Sequence, residues 1–405
     1  MTSRTSEPKD GVGALSAPED FSLVLGGPLF QLLRRSHLAG NALELVRRRV
    51  IIIPLLAWLP LLILSALEGQ ALGGNVAVPF LLDVEAHARF LVALPLLIVA
   101  ELVVHQRMRF VVRQFLERHL IPESALPRFE AAITSALRLR NAVLAEVLLL
   151  ALVYIVGVLL VWRQYMVLQT ATWYAAPTGA GLQLSLTGVW YGYVSLPLYQ
   201  FLLLRWYFRL VIWSRFLWQV ARLDLRLVPT HPDRVGGLGF LANTVYAFLP
   251  LAVAHGAMLA GPLANRIFYL GAALPAFKLE IAIVVVFLLG VVLGPLLVFA
   301  PQLAETKRTG IREYGALAQR YVREFDTKWL RGGAPAEEAL VGSGDIQSLA
   351  DLSNSFEVVR TMRIAPVTTE ALLRLVAATL VPLVPLALTM MSLEELLKRL
   401  IGIVF

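Results

Sequence analysis

From Gly188 to Phe240 the chain reads GVWYGYVSLPLYQFLLLRWYFRLVIWSRFLWQVARLDLRLVPTHPDRVGGLGF. Trp190, Tyr191 and Tyr193 stand at one end of an apolar run, and Trp206, Tyr207, Trp213 and Trp218 at the other. At 1.5 Å per residue these aromatic belts lie about 25–35 Å apart, which is the thickness of bilayer hydrocarbon. Past the second belt the helical pattern continues but turns basic, with Arg215, Gln219, Arg222 and Arg226 on one face. The spacing predicts a helix that crosses a membrane and projects from its cytoplasmic side until Pro229 and Pro232 stop it.

Composition agrees. Hydrophobic residues make up 58% of the 405, charged residues only 16%, and mean hydropathy is +0.71. A soluble domain carries about 25% charge. The net charge of +8 does not point to nucleic acid, because Lys and Arg gather at the ends of apolar runs. That is the orientation signal of an inner-membrane protein, and its natural partner is the anionic headgroups of the bilayer. With no cysteine, disulfides, thiolate catalysis and cysteine-held metals are excluded.

In chain order, residues 1–20 lack an apolar core and read as a disordered cytoplasmic tail. Residues 21–49, broken by Gly26, Gly27 and Pro28, read as an interfacial amphipathic segment. Arg47, Arg48 and Arg49 precede the first span and put the N-terminus in the cytoplasm. Residues 50–299 hold six spans, near 50–67, 90–104, 142–162, 188–214, 241–259 and 281–299, with cytoplasmic helices at 106–141 and 215–238. Residues 300–369 form a cytoplasmic segment of two amphipathic helices. A seventh span covers 370–391, and 392–405 read as a periplasmic interfacial helix. The expected fold is an all-α polytopic transmembrane bundle of about seven spans with cytoplasmic amphipathic helices, and the C-terminus is periplasmic.

Ionisable groups inside apolar spans are costly, so they are the first candidates for function. Glu101 and His105 share a face of the second span, Glu146 opens the third, and Arg205 and Arg209 share a face of the fourth. Two carboxylates facing two guanidiniums form a polar layer that either fixes helix packing or gates a conduit. His255 lies in the fifth span, and Pro382 and Pro385 break the seventh; a relay or gate is one reading, and ordinary helix packing the other. The loop PTHPDRVGGLGF offers His231, Asp233 and Arg234 with Gly236, Gly237 and Gly239 as an anion or headgroup cradle, or simply as a tight turn into the next helix. Asp83, Glu85 and His87 alternate as metal ligands would, but three alternating polar residues read better as a solvated loop. No catalytic signature is present, so no enzyme, cofactor or metal is expected.

Two segments, THPDRVGGLGFL (Thr230–Leu241) and DIQSLADLSNSFEVVRTMR (Asp345–Arg363), resemble segments of uncharacterised bacterial multi-pass inner-membrane proteins. In topology, seven spans with the N-terminus inside and an amphipathic helix before the last, the chain is similar to insect odorant and gustatory receptor channels. The aromatic and glutamine motif of that family's last span is not found in Leu372–Met391. The expected function is channel- or transporter-like, with a cytoplasmic helical bundle that anchors the spans and supports a homo-oligomer. The alternative is a scaffold or sensor docking a cytoplasmic protein partner without transport.

Overall fold

The computed structural model describes residues 21–28, 31, 46–74, 76–162, 172–178 and 181–389. The tail at 1–20, most of the segment 29–45 and residues 392–405, expected to form an interfacial helix, lie outside the described residues.

All seven apolar runs are helical over their described residues. Helix α1 is Val46–Leu67, α2 is Val84–Glu117, and α3 is Leu126–Arg140. Helix α4, Val143–Leu152, continues as a wider π-type coil to Trp162. A small antiparallel hairpin, β1 (Ala175–Thr178) and β2 (Gly181–Leu184), follows. Helix α5 is Leu196–Val220 and α6 is Asn243–Leu270. Helices α7 (Lys278–Leu293) and α8 (Ala300–Phe325) flank a 3-10 turn. Helix α9 is Gly344–Arg360 and α10 is Thr369–Leu380.

Five helices are long and apolar enough to cross a membrane, or six if the pair Glu123–Arg140 and Val143–Val158, bent by 46°, counts as one span. The fourth expected span, α5, is not among them: it carries Arg205, Arg209 and Arg215 and contributes many of the residues of the main core. Leu202, Trp206, Trp213, Phe216 and Leu217 of α5 are all buried. Outer helices show the reverse pattern. Ile51, Leu55, Leu56 and Ile63 of α1, and Ile283 and Val286 of α7, are exposed. Apolar surface on that scale needs lipid or another protein to cover it.

Three expectations change here. First, α5 stops at Val220 rather than running to residue 238. Its continuation finds partners elsewhere: Arg226 N donates to Leu120 O (2.9 Å) and Gln302 Nε2 donates to Leu223 O (2.7 Å). With some of its peptide groups satisfied by other elements and others by local turns, an irregular exit replaces further helix. Second, the sixth span and the first amphipathic helix are one rod, Leu274–Leu330, of 57 residues. Pro295 sits at the start of a 3-10 turn, where its missing N–H costs nothing, so it does not break the rod. At 1.5 Å per residue the rod is about 85 Å long, more than twice the thickness of bilayer hydrocarbon. Third, Phe21–Val24 is not on a surface. These residues are 1–3% exposed and lie in the main core.

Helix α6 packs chiefly against α2 and α10. Gly256 makes the second contact possible: a Cβ there would stand 2.1 Å from Thr379 O and 3.0 Å from Pro382 Cδ. At the other end of the bundle Asp83 caps the first turn of α2 and accepts from Trp173 Nε1 and Asn265 Nδ2, both at 2.8 Å. The triplet Asp83, Glu85 and His87 is therefore a packed helix start, not a solvated loop, and Asp83 is only 8% exposed. Glu85 pairs with Arg89, and His87 Nδ1 meets Asp83 O at 2.8 Å.

Candidate functional site

The polar residues of α2, α4 and α5 meet where the arginine-rich ends of the helices begin. Arg205 and Arg209, one turn apart on α5, face Glu101 of α2. Glu101 Oε1 accepts from Arg209 Nη2 at 2.7 Å and Arg205 Nη1 at 3.4 Å, and its Oε2 accepts from Arg49 Nη1 at 2.7 Å. Arg205 Nε also reaches Glu146 Oε1 of α4 at 3.2 Å. All five side chains are 4–9% exposed. Removing an ion from water costs several kcal/mol even in real proteins, so such a layer persists only because each charge faces an opposite one.

Hydropathy and charge assign Arg49 only the task of orienting the first span. Its place in the layer follows from helical spacing, since Arg49, Ile53, Ala57, Leu61 and Ser65 recur every four residues and four of the five are buried. That stripe is legible in the sequence; its far end lies among three consecutive arginines and reads as a charge cluster.

Residues Phe21–Pro28 form a strap over this layer. Gly26 and Gly27 have φ of +143° and +89°, a path that a side chain at either position would strain. Gly27 is also within 2.9 Å of Glu146 Oε1 at its Cβ position. Gly27 N donates to Asn141 Oδ1 (3.0 Å), Arg140 Nη1 donates to Ser22 O (2.5 Å), and Arg205 Nη2 reaches Gly26 O at 3.5 Å. Ser22 Oγ accepts from Val24 N and Leu25 N and lies 2.9 Å from His105 Nδ1. The Phe21 ring packs on Phe216 (5.1 Å) and Trp213 (6.3 Å). His105 thus belongs to the strap contact, one turn beyond Glu101, and not to the ion pairs.

The other candidate residues lie apart. His255 Nδ1 donates to Leu251 O (2.7 Å), so in the neutral ring Nε2 accepts from Tyr207 O–H at 2.6 Å. Both ring nitrogens are occupied. Pro382 lies in a 3-10 turn and Pro385 in a short helix, Val384–Ala387, and the last span runs through both from Thr369 to Ala387 rather than breaking at them; Pro382 packs against Gly256, beside His255.

In the loop at 229–240 the cradle is filled by the chain itself. Asp233 Oδ1 accepts from Val235 N (2.9 Å) and Gly237 N (3.1 Å), and Oδ2 accepts from Gly239 N (2.8 Å). His231 Nδ1 lies 2.9 Å from the same carboxylate. Partial burial pushes the Asp233 carboxyl up, but the N–H donors of Val235, Gly239 and Gly237 outweigh it and hold it below the usual carboxylate range. Gly236 and Gly237, at φ +65° and +100°, turn the backbone so that these donors converge. Arg234, at φ +55°, passes the chain to the segment after α9: Arg363 N donates to Arg234 O (2.7 Å) and Arg363 Nη2 to Asp233 O (3.1 Å). The loop is a joint between elements, with its anion built in.

Among the described residues no group of His, Asp and Glu is arranged to hold a metal ion. Fold and composition define a class: a mostly helical protein with five or six helices apolar enough to span a membrane, and a charged layer buried among them. The chain matches no protein-family model, no curated protein and no solved structure.

Proposed function

We propose that this is a multi-pass inner-membrane protein of channel or transporter type, with the Glu101 layer as the polar station on its path. The observation that carries the reading is the gathering of Arg49, Arg205 and Arg209 on one carboxylate inside the bundle, at 2.7, 3.4 and 2.7 Å. A helix bundle held by packing alone has no need of a charged layer that costs several kcal/mol per ion to bury. On this reading α5 is a seventh span, shielded from lipid by its neighbours, which is how it tolerates three arginines. The arginine-rich ends face the cytoplasm, the N-terminus is cytoplasmic and the C-terminus periplasmic. Purified protein in liposomes tests it. Uptake of a labelled ion or small solute above that of empty vesicles is expected, and absence of flux for anions, cations and protons across a range of voltage and pH contradicts it.

A second reading is a membrane scaffold that docks a cytoplasmic protein on the projecting α8–α9 pair. It draws support from Leu317 and Val322 of α8 and Ile346 of α9, which are 40%, 50% and 48% exposed. Cross-linking from Leu317→Cys in intact membranes tests it: an adduct with a second protein favours docking, and recovery of the uncross-linked chain alone argues against it.

A further inference from the structure

Helix α5 and the α7–α8 rod run side by side. The Tyr207 and Phe287 rings meet at 5.8 Å, and further along Gln302 Nε2 donates to Leu223 O at 2.7 Å. Between these two contacts lies an open groove of about 630 Å³. Leu210 and Val291 line it, and Gly290 and Gly294 leave it wide: no atom stands within 4 Å of a Cβ built at either glycine. Val211 and Phe287, also on its walls, are 58% and 44% exposed. Its two hydroxyls already donate inside the protein, Tyr207 to His255 Nε2 (2.6 Å) and Ser214 to Leu210 O (2.7 Å). The groove therefore offers an occupant apolar surface and no free hydroxyl donor. On the rod side it falls within a run that carries no charge from Ile281 to Ala304.

Beyond the groove the same face of α5 turns basic. Arg215, Trp218 and Arg222 follow Val211 at i+4, i+7 and i+11, and all three are exposed. The Arg222 guanidinium lies 3.7 Å over the Trp218 ring. Neither Arg215 nor Arg222 has an ion-pair partner among the described residues, although Asp224 is close in sequence. From Tyr207 to Trp218 the helix rises about 16 Å, close to the depth of one leaflet's hydrocarbon. We propose that this groove holds an acyl chain of an anionic phospholipid from the leaflet at the arginine-rich end. The phosphate sits on Arg215 and Arg222, with Trp218 at the headgroup boundary. A second copy of the chain on this face would bring Arg215 and Arg222 toward their own counterparts, like charge on like, whereas a lipid phosphate supplies the anion they lack. The inference rests on the membrane placement under Proposed function and is independent of any conduit.

Full-length protein in phosphatidylcholine nanodiscs provides the test. Trace phosphatidylglycerol or phosphatidylcholine carries a photoreactive diazirine in mid-chain, and adducts are mapped by mass spectrometry after irradiation. Adducts on 207–214 and 287–295 are expected, at least fivefold more from phosphatidylglycerol. One arginine near an anionic headgroup is worth about fivefold, so joint Arg215→Gln and Arg222→Gln, both at exposed positions, bring the ratio close to one. Gly294 has φ −51°, which any residue adopts; Gly294→Leu fills the groove and removes adducts of both lipids there. The exposed face of α1, at Ile51 and Leu55, keeps its adducts in every variant. Equal adducts from the two lipids in the groove overturn the proposal, as does a preference that survives loss of both arginines. Disulfide-linked dimers of Val211→Cys without groove adducts assign the face to a second copy and overturn it too. Adducts on α1 without any in the groove sink this site alone; absence of acyl adducts on the whole chain, α1 included, would sink the membrane reading itself.

Discussion

Arg49 Nη1 lies 2.7 Å from Glu101 Oε2, tying the first turn of α1 to the middle of α2, with both side chains under 9% exposed. The same carboxylate holds Arg205 and Arg209 through its other oxygen. Glu101 is therefore the anion on which three helices agree. Glu101→Gln leaves three guanidiniums buried against one remaining carboxylate, and a loss of about 3–5 kcal/mol is expected. Thermal unfolding of the solubilised protein measures it. A loss below about 1 kcal/mol, the scale of an exposed pair, would show that the layer is not closed as described.

The strap makes a second prediction. The chain has no cysteine, so a single Ser22→Cys reports only on that position. Ser22 is 2% exposed, and slow reaction with a maleimide is expected in the folded protein. Adding Phe21→Ala removes the ring that packs on Trp213 and Phe216 and is expected to speed labelling, at a cost of about 3–5 kcal/mol to strap docking. Labelling of Ser22→Cys alone at the rate of an unfolded chain would contradict burial of the strap.

Gly256 sets how close α6 and the last span can come. With Thr379 O only 2.1 Å from the point a Cβ would occupy, Gly256→Ala must push the two apart. A loss of about 1–3 kcal/mol is expected, read as a lower thermal midpoint. Gly290 on α7 has nothing within 4 Å of its Cβ position, so Gly290→Ala serves as the control and is expected to leave the midpoint unchanged or slightly raised.

Asp233 makes stability depend on acid. Its folded pKa lies below the ordinary value, so its contribution is fully present above the unfolded pKa and is lost as pH falls through the folded one. Asp233→Asn cannot accept through both side-chain atoms, leaves the Gly239 or Val235 N–H unmatched, and is expected to cost about 1–3 kcal/mol at neutral pH. The acid limb of the stability curve flattens in the variant. Parallel acid limbs in variant and wild type would show that the carboxylate is not the acceptor.

How much of this is legible in the sequence depends on the range over which each signal acts. Spans follow from local hydropathy, and all seven apolar runs are helices over their described residues. Glu101, Glu146, Arg205 and Arg209 stand out because burying a charge is costly wherever it happens, and they do meet. Arg49 is hidden because a run of three arginines reads as an interfacial cluster until the four-residue stripe through Ala57 and Ser65 is followed back. The strap is hidden for a deeper reason: Gly26, Gly27 and Pro28 announce that a helix cannot form, but nothing local tells an extended segment where to dock. The same limit applies to Asp233, whose partners lie two to six residues away but converge only through left-handed glycines. Nor does sequence alone show what Pro295 costs, since that depends on whether a 3-10 turn absorbs it.

Single-cysteine topology mapping is the most direct test of the central claim, that the helices thread a membrane with their arginine-rich ends together. Arg138→Cys and Ala316→Cys, at the basic end, are set against Gly74→Cys and Gly271→Cys at the other; all four native positions are exposed. In intact inverted vesicles, an impermeant maleimide is expected to label the first two and spare the last two, with the pattern reversed in spheroplasts. Labelling of Ala316→Cys and Gly271→Cys from the same side would contradict the threading, and the buried charge layer would lose its place inside a membrane.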